Sequence, residues 1–228
     1  GTAGATTYND THSNSTDSTI KTYLEGDGTT SNEGWYKDNI IDTGYGSYVA
    51  DAIYCNDRSL STADSSYTGI GNSESYYAAY QRNYTNKSPS LKCINNNDKF
   101  TTNTSLGNGK NKQPVGLITA DEVSYAGGAY GSSYTNKSYY LYTGQNYWTM
   151  SPFYITAGYP FGFIVDFNGY MDAYDIDIDD NNVGFRPVIS IRPDAIKSGS
   201  GTADDPFYVP PKPTAHTTLA ALNLTPST

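Results

Sequence analysis

The segment from Asn146 to Ile191 most constrains how this chain can fold. Short runs rich in aromatic and β-branched residues alternate in it with Gly, Asn, Asp and Pro, a pattern that predicts strands joined by tight turns. Asn168-Gly169 is the strongest two-residue turn signal in the sequence, so residues 161–178 are predicted to form a β-hairpin. With further strand signals in YYLYTG and PFYV, the second half of the chain is expected to be a twisted antiparallel β platform.

The first half of the chain carries helix signals instead. Apolar residues at helical spacing follow Asp17 and Ser18, either of which could cap a short helix, and a second short helix is expected around residues 35–41. Residues 119–122, Thr-Ala-Asp-Glu, have the sequence of a capping box, so a helix is predicted from about 120 to 126. Helices followed by a β platform make the expected fold class α+β.

Composition predicts the domain boundaries, and charge limits the classes of molecule that the protein could bind. Residues 1–16 are an extended lead-in or linker, 17–209 a single domain, and 210–228 a Pro-, Thr- and Ala-rich tail. The sequence begins at Gly1 and has no apolar run of transmembrane length, so we expect a mature product or a fragment. A net charge of −9 argues against nucleic acid and anionic membrane surfaces and favours a cationic partner, and the lack of a long apolar run argues against direct membrane insertion.

The sequence contains two cysteines, Cys55 and Cys93, each in a polar, loop-like context. A reactive thiol or half of a metal site is one interpretation, but neither has a nearby His or a CxxC spacing. A single structural disulfide is the favoured interpretation. It would place the protein in an oxidising, extracellular compartment.

Between its turn residues, the segment 146–191 combines aromatic anchors with small polar residues, as antibody binding loops do. Tyr and Phe supply contact area at low entropic cost and Asp supplies directional acceptors, so recognition is favoured over catalysis. The proposed ligand contacts are Tyr154, Tyr159, Phe161, Tyr170, Asp172, Tyr174, Asp175, Asp177 and Asp179. By contrast, the helically spaced Tyr76, Tyr77, Tyr80 and Tyr84 are interpreted as core packing.

Fixed points frame this segment, namely Trp148, Ser151-Pro152, Asn168-Gly169 and Gly184-Phe185-Arg186-Pro187. On these points, and on upstream pieces such as WYKDN, CNDRSL and PVGLITADEV, residues 17–209 resemble uncharacterised surface domains of gut Gram-positive bacteria. The pattern is also similar to the C-type-lectin-like fold of formylglycine-generating enzymes and of the variable proteins of diversity-generating retroelements. The resemblance implies that fold, with structural roles for Trp148, Pro152, Arg186 and Pro187. Arg186 would brace loops by donating to backbone carbonyls or a carboxylate.

The retroelement resemblance has a consequence for composition. Variable positions there derive from adenine-containing codons such as AAC or AAT, which can become codons for every residue type in this segment except Met, Trp, Lys, Gln and Glu. Those five types number 21 of 228 residues, yet from Ser151 to Ile196 only Met171 belongs to them, against about four expected. Targeted diversification and ordinary β-sheet composition both explain this depletion.

Three aspartates alternate with two isoleucines over residues 175–179, so in a strand the carboxylates would share one face. With Asp180 and Asn182 nearby, a Ca²⁺ site is conceivable. The Glu-Pro-Asn and Trp-Asn-Asp signatures of calcium-dependent lectins and the EF-hand loop pattern are absent from the sequence. A solvated acidic face that binds cationic or polyhydroxyl ligands is therefore favoured, with no cofactor.

An enzyme is the competing class. His12 and His216 both lie in the terminal segments, which leaves the predicted domain without a His for a triad or a zinc site. Asp121 and Glu122 are interpreted as helix-cap residues rather than an acid/base pair. We therefore expect a non-enzymatic ligand-binding or adhesion module on a bacterial cell surface, with a protein or glycan ligand. The alternative is a structural subunit or tip of a pilus-like surface filament.

Overall fold

A computed structural model describes residues 15–29, 33–62, 75–156, 159–176 and 183–210. Its helices are α1 (Ser15–Glu25), α2 (Ala78–Tyr80) and α3 (Ala120–Tyr125), with π-helical turns at Lys37–Ile41 and Gln81–Thr85 and 3₁₀ turns at Gly46–Tyr48, Asn96–Asp98, Ser132–Tyr134 and Pro193–Ala195. Its strands are β1 (Val49–Ala50), β2 (Tyr54–Cys55), β3 (Ser75–Tyr76), β4 (Lys99–Phe100), β5 (Tyr147–Thr156), β6 (Tyr159–Val165), β7 (Met171–Asp175), β8 (Gly184–Phe185) and β9 (Ser190–Ile191). The mixture of helices with a mainly antiparallel sheet confirms the α+β class.

The main sheet runs in the order β3-β5-β6-β7, and all of these neighbours are antiparallel. The short strand β8 adds a parallel pairing to the first residues of β5. The pairing of β5 with β6 shifts register on both sides of Pro152, because proline has no N–H to donate to a ladder and strands accommodate it at bulges. Two small ladders, β1 with β9 and β2 with β4, lie outside this sheet.

The predicted hairpin is confirmed as β6 and β7, joined by a turn from Asp166 to Tyr170. The Asp166 N–H donates to the Tyr170 carbonyl at 2.8 Å, and the Gly169 N–H donates to the Asp166 carbonyl at 2.8 Å. Gly169 has φ +85°, and a Cβ added there would collide with the carbonyl oxygen of Asn136. Only glycine satisfies both conditions.

Apolar side chains cover the main sheet on both faces. Along β6, Ile164 belongs to one buried cluster whereas Phe163 and Val165 belong to another, as the two-residue alternation of a strand requires. The first cluster includes Leu24 of α1, and the second includes Val123 of α3. The sheet is therefore the central layer that holds the two halves of the chain together.

Local signals predicted α3 more accurately than α1. The Thr119 hydroxyl accepts from the Glu122 N–H at 3.1 Å and a Glu122 carboxylate oxygen accepts from the Thr119 N–H at 2.8 Å, so the capping box is confirmed. Helix α1 begins at Ser15, which places Asp17 and Ser18 inside the helix, and the prediction that either would cap it is wrong.

The predicted disulfide is confirmed between Cys55 and Cys93, with their Cα atoms 5.7 Å apart. Cys55 lies in β2, and Cys93 lies in the irregular segment before β4. The disulfide therefore links this segment to β2, the strand that pairs with β4. Among the described residues, no helix is long and apolar enough to cross a membrane.

Candidate functional site

An open cleft with an aromatic wall lies against the main sheet, and we call it the aromatic cleft. Its volume is about 380 Å³. The residues that line it are Tyr76, Tyr80, Tyr84, Tyr130, Phe153, Tyr154, Phe161, Asp172 and Ala173. All but two of these described lining residues are aromatic, and Asp172 has the only ionised side chain among them, so this part of the cleft combines apolar ring surface with one negative charge.

The first wall of the cleft is a ladder of rings across three strands. Tyr76 of β3 pairs with Tyr154 of β5, and Tyr154 pairs in turn with Phe161 of β6. This register stacks the rings: the Tyr76 and Tyr154 centroids are 5.2 Å apart at 17°, and those of Tyr154 and Phe161 are 4.5 Å apart at 13°. Cross-strand aromatic pairs of this kind stabilise a sheet and hold the rings in fixed positions.

The second wall comes from the helical segment after β3. Tyr80 and Tyr84 lie four residues apart, on the same helical face, with ring centroids 5.0 Å apart. Tyr130 closes this wall, 5.1 Å from Tyr84 in an edge-on arrangement. The buried ring of Phe153 forms the floor between them, 4.9 Å from Tyr80 and 5.1 Å from Tyr130.

Tyr130 is held at the cleft by the edge strand β7. The Met171 N–H donates to the Ala129 carbonyl at 2.8 Å, and the Gly131 N–H donates to the Met171 carbonyl at 3.0 Å. These bonds flank Tyr130 and fix its backbone beside β7. The side chain that follows Met171 is Asp172, so the same contact brings Tyr130 and the carboxylate into one cleft.

Asp172 is half-buried, and its carboxylate accepts the Ala173 N–H at 2.8 Å. No Lys or Arg in the described ranges forms an ion pair with it. Burial raises the pKa of Asp172 above its ordinary value, and the nearby charge of Asp166 adds to the rise, whereas the Ala173 hydrogen bond opposes it. Burial also raises the pKa of Tyr130, helped by the charge of Asp172. The cleft therefore presents a partly desolvated carboxylate that gains from a hydroxyl donor or a cation.

A cation of the chain itself lies at the margin of the cleft. The Lys87 ammonium is 5.4 Å from the centroid of the Tyr84 ring and 4.9 Å from that of the Tyr134 ring. Lys87 has φ +49°, the only positive φ of a non-glycine residue in the part of the chain that the structure describes. Both distances lie within the range of cation–π attraction.

The structure brings Tyr154, Phe161 and Asp172 of the proposed contacts together in the cleft. Tyr174 packs instead against the first buried cluster, with its ring centroid 6.3 Å from that of Trp148. Among the other proposed contacts, Tyr170 lies in the hairpin turn and Asp175 at the end of β7, and neither is in the described lining of the cleft. Tyr159 begins β6, where its backbone alone is described, and Asp177 and Asp179 fall outside the described residues. A contact role for these residues stays a prediction.

Sequence reasoning missed one wall of the cleft. The core-packing interpretation holds for Tyr77, which is fully buried, and for Tyr76 and Tyr80, which pack against the second buried cluster. Tyr76, Tyr80 and Tyr84 also line the cleft, a role that this interpretation does not include. Their four-residue spacing was the available signal. Tyr130 stands in a Gly-rich loop and gave no signal of its own.

The residues expected to be structural lie away from the cleft lining. Trp148 is buried in the first apolar cluster and Pro152 is buried in β5. Arg186 donates from Nη1 to the Leu141 carbonyl at 3.0 Å, and its guanidinium carbon lies 5.0 Å from the centroid of the Tyr147 ring. Pro187 is half-buried. These contacts are of the kind that a bracing role needs, and that role stays a prediction.

A second cavity, of about 310 Å³, lies beside the disulfide. Three of its charged lining residues contact one another, because Arg82 donates to both carboxylate oxygens of Asp121 at 2.8 and 2.7 Å and to Asp57 at 2.8 Å. Asp121 also accepts the Ser90 N–H at 2.8 Å. Asp121 is therefore an ion-pair partner rather than a helix cap, which corrects its predicted role. This network fastens α3 to the helical segment that carries the cleft tyrosines.

Within the described ranges, no group of three or more His, Cys, Asp or Glu side chains could hold a metal ion. The acidic residues from Asp177 to Asn182 lie outside those ranges, as do His12 and His216. No protein-family model, curated protein or solved structure matches this chain.

Proposed function

We propose that this chain is an extracellular ligand-binding or adhesion module that holds its ligand in the aromatic cleft. The observation that carries this proposal is the convergence of rings from three strands, a helical segment and a loop on one open space that also contains a half-buried carboxylate. Aromatic side chains supply most of the energy of many recognition surfaces because they bury a large area at low entropic cost. Asp172 adds a directional acceptor.

Two further features support the surface location and the finer fold assignment. The Cys55–Cys93 bond favours an oxidising compartment, which for this proposal is a bacterial cell surface. The hairpin of β6 and β7, followed by β8 beside β5 and by the hydrogen bond from Arg186 to the Leu141 carbonyl, supports a C-type-lectin-like architecture. Both assignments belong to the proposal.

Targeted diversification would act on one side of the cleft. Tyr154, Phe161 and Asp172 lie within the segment 151–196 that is depleted in Met, Trp, Lys, Gln and Glu, whereas Tyr80, Tyr84 and Tyr130 lie outside it. A constant wall of tyrosines would then face a wall that varies between copies. A near-identical template repeat with adenines at the codons of the variable wall, next to a reverse transcriptase gene, would support this idea, and its absence would contradict it.

The proposal is tested by screening the full chain on glycan and protein arrays and repeating the screen with Tyr84→Ala. Tyr84 is 46% exposed, so its truncation removes cleft surface with little effect on folding. We expect the signal of the bound ligand to fall by about tenfold or more, as for a recognition hot spot. The matched control is Tyr140→Ala, which removes a ring that is 79% exposed and outside the cleft lining. An array signal that Tyr140→Ala lowers as much as Tyr84→Ala would contradict the proposal.

A filament subunit is the second candidate, and exposed apolar side chains favour it. Leu91 and Ile94, on either side of Cys93, are 65% and 75% exposed. Apolar surface of this kind can mediate head-to-tail contacts between copies. Light scattering after size-exclusion chromatography distinguishes the two: concentration-dependent polymers would favour the filament, and a monomer would favour the binding module.

A further inference from the structure

We propose that the aromatic cleft takes a methylated ammonium group, with its positive charge facing Asp172. This inference rests on the proposed function, because it names the chemistry of the ligand that the cleft would hold. Its central observations are the half-buried carboxylate, with which no Lys or Arg of the described residues forms an ion pair, and the ring surface around it.

The first argument is charge. Among the described residues that line the cleft, Asp172 is the only one with an ionised side chain, and it accepts a single backbone N–H among the contacts that the structure describes. A carboxylate that has lost part of its hydration gains more from a cation than an exposed one does, because the surrounding dielectric constant is lower. The chain as a whole carries a net charge of −9, so its field also draws cations toward the surface.

The second argument comes from the chain's own cation. Lys87 lies over Tyr84, a residue of the cleft wall, at 5.4 Å. In the described part of the chain no carboxylate forms an ion pair with Lys87, so its ammonium lies against rings without an anionic partner. It does so from a backbone conformation, φ +49°, that non-glycine residues rarely adopt. The margin of the cleft thus already shows the attraction that we infer for its interior.

The third argument is the match between the lining and the number of donors that a ligand brings. A primary ammonium has three N–H donors, each of which needs an acceptor when it is buried. The described side chains around the cleft supply one carboxylate and the hydroxyls of five tyrosines, and the rest of their surface is mostly ring. A methylated ammonium brings methyl groups that pack on the rings and a charge that needs no hydrogen bond. The volume, about 380 Å³, lies at the lower end of the range for small-molecule sites and suits a compact group.

The test compares choline with its neutral isostere, 3,3-dimethylbutan-1-ol, by NMR titration of the full chain. The two molecules have nearly the same shape, and only choline is charged. We expect choline to bind at least about tenfold more tightly, and we expect Asp172→Asn to remove that preference without loss of the folded spectrum. Asp38→Asn, at an exposed site on a helical turn away from the cleft, should leave the preference unchanged.

Three results would overturn the inference. The isostere could bind as tightly as choline, the preference could survive Asp172→Asn, or N-acetyl-lysine methylamide could bind as tightly as choline, which would indicate a lysine side chain as the natural occupant. If no cation binds while the array ligand still depends on Tyr84, the ammonium inference fails and the proposed function stands. If the array ligand is also indifferent to Tyr84, the proposed function fails as well.

Discussion

Replacing Arg82 with Met is expected to destabilise the fold strongly, because it leaves two buried carboxylates without their cation. The Arg82 guanidinium donates to Asp57 and in a bidentate manner to Asp121. The side chains of these aspartates are only 7% and 3% exposed. Water therefore has little access to replace the lost donors.

The expected loss of stability depends on the hydrogen bonds that the two carboxylates keep after the substitution. Asp121 would keep the Ser90 N–H at 2.8 Å, and Asp57 would keep the Ser59 N–H at 3.1 Å. Removing one partner of a buried ion pair costs about 3–5 kcal/mol, since the remaining charge stays desolvated. Met keeps much of the aliphatic bulk of Arg82, so the electrostatic loss should dominate, and we expect a cost within that range.

Urea denaturation followed by tryptophan fluorescence measures this cost. The matched control is Arg192→Met, which breaks an ion pair with Asp194 whose side chains are 50% and 69% exposed. An exposed pair contributes less than about 1 kcal/mol. Equal free energies of unfolding for the two variants would refute the reasoning. Recovery of stability on adding Asp57→Asn and Asp121→Asn to Arg82→Met would support it.

Two further predictions follow from local geometry. Gly169→Ala should lower the free energy of unfolding by about 1–3 kcal/mol, because φ +85° strains any L side chain and the added Cβ would also collide with a backbone carbonyl. The control is Gly28→Ala, at φ +94°, where nothing lies within 4 Å of the added Cβ and only the φ strain acts. Equal losses of stability in the two variants would contradict the contribution of the collision. Burial raises the pKa of Asp172 above 3.8, so folding disfavours its ionised form and its contribution to stability falls as the pH rises through and above that value. Asp172→Asn should therefore raise the melting temperature at neutral pH relative to wild type, with a difference that shrinks at acidic pH, and a pH-independent difference would contradict this assignment.

The sequence predicted those features whose signals are local. Asn168-Gly169 is a hairpin turn in the structure as predicted, and Thr119 with Glu122 forms the expected capping box. In both cases the residues that determine the geometry lie within a few positions of one another. The disulfide could be predicted for a different reason, since two cysteines allow one intramolecular pairing.

The cleft could be predicted only in part, because its walls meet through long-range contacts. Tyr76 reaches the site through pairing of β3 with Tyr154, a residue far along the chain, and helical spacing alone does not distinguish a cleft wall from a core stripe. Tyr174 lies outside the cleft lining and packs against Trp148, although strand alternation puts it on the same face of β7 as Asp172, so alternation alone did not decide which of the two joins the cleft. Which face of a strand borders open space is set by the packing of the other elements.

The most direct test of the central claim is an NMR spectrum of the full chain with ¹³C-labelled tyrosine, recorded with and without the ligand that the arrays identify. The account predicts that the ring signals of Tyr80, Tyr84 and Tyr130 shift on binding, whereas those of Tyr140 and Tyr208, exposed outside the cleft lining, stay in place. Shifts confined to Tyr140 or Tyr208, with the cleft tyrosines unchanged, would show that the ligand binds elsewhere and would contradict the account.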